Sequence, residues 1–308
     1  LEDRVPPDGD MSIHFFGGEP LVNWPALSEV VARVEEVAAK VPFNFRHNIT
    51  TNGSLLNAER VAFLTDHNTT HLKITLDGPP EIHDERRMLR NKKPTFEGVI
   101  KNIAHAAKTL DIILRVNIDS GNMDHIGTLF DILEERVGPN RHRLHFDFNL
   151  VVEKSSATSD ARVRYAMLLG FEREALERGF EVKVPSLVRH RYCGFNSRGT
   201  MLLDTSGSAY LCSQSEKFRV GDLKLPDKME NGAGDQKEGM TAAFRETKDV
   251  CRDCNLLPIC GGGCTYLYQK TGKPPCPGWA SHLSDYLAMH SATLDQRQRR
   301  AAHGPVTV

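Results

Sequence analysis

Short stretches in which apolar and polar residues alternate are followed repeatedly by stretches in which apolar residues return every three or four positions. Residues 13–16 form an apolar run closed by Gly17 and Gly18; Leu27, Val30, Val31, Val34 and Val37 then share one face of a helix that Asn23 is placed to cap. The unit recurs. Residues 43–50 lead into a helix over 57–66, and residues 72–76 into one carrying Phe96, Val99, Ile100, Ile103 and Leu110. Residues 112–118 lead into Ile126, Leu129, Phe130, Leu133 and Val137, and residues 144–150 into a helix within 160–178. Strands and helices in this order predict a parallel sheet with right-handed crossovers.

The strands themselves are two-faced. Leu72, Ile74 and Leu76 oppose Lys73, Thr75 and Asp77; Ile112, Leu114, Val116 and Ile118 oppose Arg115, Asn117 and Asp119; Leu144, Phe146, Phe148 and Leu150 oppose His145, Asp147 and Asn149. A parallel sheet covered on both sides reads as nearly continuous apolar runs. A polar face on every strand fits instead a barrel or open barrel whose lumen takes a polar ligand, with the apolar faces against outer helices. The alternative, an antiparallel sheet with one wet side, sits poorly with the helices in between. In a barrel the chemistry gathers at the C-terminal ends of the strands, here Gly17-Gly18-Glu19-Pro20, Thr51-Asn52-Gly53, Asp77-Gly78-Pro79-Pro80 and Asp119-Ser120-Gly121. Singly, each of these reads as a turn.

Past about residue 185 the pattern changes. Residues 204–211 predict a hairpin turning at Ser206-Gly207, residues 224–246 an exposed irregular insertion, Trp279 to about Gln298 a polar helix, and 299–308 a loose end. The expected division is residues 1–185 as the barrel, 186–285 as a cysteine-rich domain and 286–308 as helix end and tail.

Composition removes some function classes. With 39 basic and 40 acidic residues the net charge is −1, which leaves no overall field for nucleic acid or anionic lipid. No apolar run approaches the roughly 20 residues that span a bilayer, and a cytoplasmic protein is expected. In that reducing compartment clustered cysteines read as metal ligands. All seven lie late in the chain: Cys193, Gly207 and Cys212, then Cys251, Cys254, Cys260 and Cys264, then Cys276. A four-thiolate zinc site and iron-sulfur clusters both accommodate such spacings; seven thiols exceed one zinc site, and Gly261-Gly262-Gly263 would let backbone amides approach cluster sulfurs.

This cysteine spacing resembles the SPASM auxiliary-cluster domain of radical S-adenosylmethionine enzymes. Upstream, Phe15-Phe16-Gly17-Gly18-Glu19-Pro20-Leu21, Thr50-Thr51-Asn52-Gly53 and Thr75-Leu76-Asp77-Gly78 with Ile82-His83-Asp84 and Arg86 are similar to that family's strand ends. The resemblance covers roughly residues 11–279. It implies an α/β fold with a partial six-unit TIM-type barrel, plus a small hairpin-and-helix cluster domain. Gly17, Gly18 and Glu19 would then hold the amino-acid end of S-adenosylmethionine, Asn52 and Thr75 its ribose and methionine parts, and Arg115 and Asn117 would be further lumen contacts. Cys251, Cys254, Cys260 and Cys276 would hold a distal auxiliary cluster, and Cys193, Cys212 and Cys264 a proximal one lacking a fourth cysteine, both of the four-iron type.

The implied activity is hydrogen abstraction by a 5′-deoxyadenosyl radical during maturation of a ribosomally made peptide or a sulfatase. An electron donor such as flavodoxin or ferredoxin would serve it, with no nucleic-acid or membrane partner. The family's radical-generating cluster uses a Cys-x3-Cys-x2-Cys loop after the first barrel strand, and no cysteine here precedes Cys193. The chain opens on Leu1, so the expectation is an N-terminally truncated enzyme, without that strand and loop and inactive by itself. The other readings are a non-catalytic iron-sulfur binding or electron-transfer protein and a zinc-binding barrel.

Overall fold

A computed structural model of the chain describes residues 8–151, 161–182, 200–214, 218–224, 249–260, 262–273 and 276–303. Contacts divide the chain into two compact units, Leu1–Val184 with Ser284–Val308, and Pro185–Leu283.

The first unit is an α/β layer structure. Six parallel strands, β1 (Asp10–Phe15), β2 (Asn44–Thr51), β3 (Thr69–Thr75), β4 (Ile112–Ile118), β5 (Leu144–Leu150) and β6 (Glu181–Val182), are paired in sequence order. Between them run α1 (Trp24–Ala38), α2 (Ala58–Asp66), α3 (Pro80–Arg86), α4 (Phe96–Ala106), α5 (Ile126–Val137) and α6 (Ala161–Glu177). This is the connectivity of a partial TIM-type barrel. The alternation that defined β4 and β5 is also what buries them: Ile112, Leu114, Val116 and Ile118 are fully buried under the helices, as are Leu144 and Phe146, while their polar neighbours stay half-buried on the other face. Phe146 is surrounded by aromatic rings, with centroids at 5.0 Å (Phe130), 5.1 Å (Phe148) and 5.2 Å (Phe180).

Several elements differ from expectation. β1 begins three residues early because Asp10 joins the ladder opposite Asn44, and its carboxylate meets Arg46 Nη2 at 2.9 Å. One helix was expected between β3 and β4. There are two, since Pro80 stands in the first turn of α3, where a missing N–H costs nothing. β6 is only two residues long, too short to show a period. The final helix starts at Leu283 and runs to His303, so residues 299–303 are helical and not a loose end. This helix belongs to the first unit, where Met289 joins the core, Gln296 Nε2 donates to Phe180 O at 3.4 Å and Arg297 Nε meets Glu181 Oε2 at 3.0 Å. Among the described residues no helix is long and apolar enough to cross a membrane.

In the second unit an antiparallel sheet, β7 (Leu202–Leu203), β8 (Ser208–Tyr210) and β9 (Arg219–Asp222), turns where the sequence placed the hairpin. Asp204 Oδ1 accepts from the backbone amides of Ser206 and Ser208, both at 2.9 Å, and Gly207 has φ +92°. Short helices follow at Asp249–Arg252, Leu257–Cys260 and Thr265–Thr271. Residues 225–248, most of the expected insertion, lie outside the described residues.

Truncating Phe146 to Ala removes the centre of the aromatic cluster. The expected loss is about 3–5 kcal/mol of unfolding free energy, read by urea denaturation followed by far-UV circular dichroism.

Candidate active site

The register of the parallel strands assembles the polar face residue by residue. Thr75, Arg115 and Asp147 lie abreast on β3, β4 and β5; Asn117 and Asn149 lie one step further toward the strand ends. Asp147 Oδ2 takes Lys73 Nζ at 2.5 Å and Arg115 Nη1 at 3.2 Å, while Asn149 Nδ2 donates to Oδ1 at 3.1 Å. Asp147 is therefore the anion of a lumen ion-pair cluster. The polar face continues onto β1 and β2, where a ring nitrogen of His14 lies 2.8 Å from Thr50 Oγ1. The alternation in those two strands had not been read for its polar side.

The loops at the strand ends are braced by one carboxylate. Glu19 Oε1 accepts from Leu21 N at 3.1 Å and Thr51 Oγ1 at 2.7 Å, and Oε2 accepts from Asn52 N at 2.7 Å. The ends of β1 and β2 are thus joined through it, bringing Glu19 and Asn52 together. Asn52 Oδ1 turns back onto Ser54, accepting from its N at 2.9 Å and its Oγ at 2.7 Å. Gly17 has φ +115°, which side chains rarely adopt, and a Cβ built on Gly17 or Gly18 would meet no protein atom within 4 Å. The space above this turn is open to a ligand.

At the next pair of strands Asp77 plays the bracing part. Its Oδ1 accepts from both Asn117 N and Asn117 Nδ2 at 3.0 Å, and Arg87 Nε meets Oδ2 at 2.6 Å. Asn122, fully buried, donates Nδ2 to Asp77 O at 2.6 Å and to Asn117 O at 2.8 Å, clamping the two main chains. Asn117 Oδ1 in turn accepts from Arg115 Nε at 3.3 Å. Thus Asn117 is engaged by the protein on both sides of its amide, whereas Thr75 and Arg115 present half-buried side chains to the lumen. Asn122 had drawn no notice in the sequence; its place three residues after Asp119, whose N it accepts at 2.9 Å, was the available signal.

The cysteines fall into groups. Cys251, Cys254, Cys260 and Cys276 line one small apolar pocket, otherwise walled by Leu256, Leu257, Gly262, Pro277 and Ala280. Gly262, at φ +82°, is buried there and needs its missing Cβ. Cys212 and Cys264 are not among the lining residues. Cys212 packs on the small core of Ala209, Leu211, Phe218 and Val220, as does Tyr266, two residues beyond Cys264. Cys193 lies outside the described residues. Among the described residues no cysteine forms a disulfide. Among the described residues no three His, Cys, Asp or Glu side chains converge closely enough to grip a single ion. Four thiols thus line one apolar pocket, and thiolate sets of this kind serve zinc and iron-sulfur sites alike.

Residues 3–133 match the family model described as the Radical SAM superfamily. A cysteine-type anaerobic sulfatase-maturating enzyme of Clostridium novyi is 36% identical over 279 residues, covering 81% of this chain and 72% of that protein. The chain belongs to the radical SAM superfamily. Another relative, the Fe-coproporphyrin III synthase of Methanosarcina barkeri, is 26% identical over 195 residues, and this chain spans only 46% of its length. Among solved structures, anSMEcpe with bound AdoMet and the Kp18Cys peptide superposes with a TM-score of 0.63 at 18% identity, covering 94% of this chain and 86% of that one. Its AdoMet-bound form without peptide gives 0.63 at 19%, covering 94% and 85%. These superpositions establish the shared fold. Membership in the radical SAM superfamily implies S-adenosylmethionine and a four-iron cluster as the family's cofactors.

One titratable group of this radical SAM fold was invisible in the sequence. Burial first, and the charge of Asp147 second, push the Glu172 carboxyl on α6 up to about 7. Tyr165, two turns earlier on α6, is raised by burial and then by Glu172; Tyr286 of the final helix is pushed up to about 12 by burial and then by Glu172. A carboxyl whose folded pKa lies above its unfolded value binds an extra proton in the folded state, so stability falls as pH rises from about 4.5 through about 7. Glu172→Gln copies the neutral form. It is expected to match the wild type near pH 4.5 and to exceed it at pH 8 by on the order of 2 kcal/mol, in denaturation curves taken across that range.

Proposed function

We propose that this protein is a peptide- or protein-modifying radical SAM maturase, with S-adenosylmethionine seated at the strand ends of the first unit and auxiliary four-iron clusters on the cysteines of the second. The observation that carries the cofactor part is a pairing of charges on the polar face: the Glu19 carboxylate beside the open space over Gly17 and Gly18, and the Arg115 guanidinium on the lumen face of β4. An amino acid end has an ammonium and a carboxylate, and these are its complements. The peptide part is supported by the Clostridium novyi relative, a maturase of sulfatases, and by the fold shared with a protein solved with a peptide bound.

Within this reading each residue has a task. Glu19 keeps one acceptor site for an ammonium after accepting its three protein donors, Thr75 offers a hydroxyl, Asn52 lines the mouth and Arg115 meets the carboxylate. Asn117 acts on Arg115. Gly17 and Gly18 leave the ligand's approach clear. Cys251, Cys254, Cys260 and Cys276 would hold one cluster, and Cys193, Cys212 and Cys264 a second whose remaining iron position takes another ligand. Bound and reduced, the family's cluster and S-adenosylmethionine supply a 5′-deoxyadenosyl radical that removes a hydrogen atom from substrate. The protein contributes a lumen lined by fixed charges that orients both reactants. The seven cysteines all lie at or beyond Cys193, so the ligand loop of the radical-generating cluster is not among them.

Anaerobically isolated chain is expected to carry about eight iron atoms and matching sulfide, the sum of two four-iron clusters. Cys251→Ala paired with Cys254→Ala should lower that count by about half. Bound zinc in a colourless preparation would sink the cluster assignment. S-adenosylmethionine should bind in calorimetry, and Arg115→Gln should weaken it about tenfold or more; an unchanged affinity removes Arg115 from the site.

A further inference from the structure

The end of the β3–β4 pair is completed by a side chain. Leu76 N donates to Arg115 O at 2.9 Å, and one register step later Asn117 N finds its acceptor in the Asp77 carboxylate, at 3.0 Å. Asp77 is only 3% exposed. Its Oδ1 also receives Asn117 Nδ2 at 3.0 Å, and its Oδ2 receives Arg87 Nε at 2.6 Å.

An ionised carboxylate accepts and never donates, so the Asn117 amide has one allowed orientation: nitrogen toward Asp77, oxygen away from it. That oxygen is the acceptor for Arg115 Nε at 3.3 Å. The far end of the guanidinium, Nη1, reaches Asp147 at 3.2 Å. Arg115 is thus held at two points, and the point nearer its stem depends on which way the Asn117 amide faces. A flip of that amide would set a donor against a donor.

We propose that Asp77 is a positioning residue for the strand-end site, acting through the Asn117 amide to fix the Arg115 guanidinium on the lumen face. The inference rests on the reading above for the ligand that Arg115 meets, and on hydrogen-bond chemistry alone for the geometry. It separates two jobs within one loop. Asn122 clamps the loop by main-chain carbonyls and is indifferent to the charge of the Asp77 side chain, whereas the Asn117 orientation depends on that side chain having acceptors only.

Asp77→Asn keeps the shape but gains a donor, so it cannot accept from Arg87 and Asn117 together. The probe is the side-chain Nε–H resonance of Arg115 in nitrogen-15 spectra of the whole chain, assigned by its loss in Arg115→Lys. It should move in Asp77→Asn and in Asn117→Ala, and in the double variant Asp77→Asn/Asn117→Ala it should sit where Asn117→Ala alone puts it. Affinity for S-adenosylmethionine should fall about tenfold in each single variant, and no further when Asn117→Ala is added to Asp77→Asn, because the two act through one contact. An Arg115 signal unmoved by Asp77→Asn overturns the proposal, as do affinity losses that simply add. Should Asp77→Asn fail to fold, Asn117→Ala carries the same test: its Arg115 signal must move. If the wild-type chain does not bind S-adenosylmethionine, the functional reading fails while the Arg115 signal still decides this one.

Discussion

Where parallel strands end and their loops splay apart to admit a ligand, backbone amides lose their ladder acceptors, and every such amide near the protein interior must find another. In this fold carboxylates supply them. Glu19 accepts Leu21 N and Asn52 N, and Asp77 accepts Asn117 N, so each joins segments that the sheet itself no longer holds. Asp84 does the same for the opening amides of α4, Thr95 N and Phe96 N, at 2.6 and 2.8 Å, and Asp119 closes its own turn on Gly121 N at 2.9 Å. Bonds to charged acceptors are about twice as strong as neutral ones, so a few of them can set the shape of an open mouth.

The same economy governs the face below. Lys73, Arg115 and Asp147 place two cations on one anion, and Glu172 nearby is raised to about 7. Burial first, and the charge of Asp147 second, keep the Glu172 carboxyl protonated below about pH 7, so there it adds no second full anion beside Asp147.

Legibility in the sequence followed the range of the interactions. β4 and β5 were read with their observed ends because seven alternating residues leave one register that buries the apolar set. α3 was overlooked because Pro79 and Pro80 read first as a turn, and its seven residues carry little apolar periodicity. The end of the final helix was misjudged because residues 299–303 offer no apolar face from which to read a helix. Glu19 was visible as a strand-end carboxylate, but two of its three donors, Thr51 Oγ1 and Asn52 N, lie some thirty residues on, which no local pattern announces. Glu172 is a more distant case: its neighbours come from β5 and the final helix, so its unusual proton affinity exists only in the folded chain. Among the cysteines, spacing read as a metal scaffold and left zinc and iron open; that four of them line one apolar pocket belongs to the folded chain alone.

The final helix returns to the first unit after residues 185–283 have formed the second, which makes the cysteine-rich unit an insertion and not an appendage. It is tethered at both ends. A chain cut near residue 283 would therefore not merely shed a tail: the edge of β6 would lose Met289, Gln296 and Arg297, taking the Arg297 guanidinium from the buried Glu181 carboxylate and leaving a short strand open to pairing with another molecule. Engineered versions of the barrel alone would need to splice the final helix back on, and a library of excised cysteine-rich units would begin with two loose ends where the native protein has none.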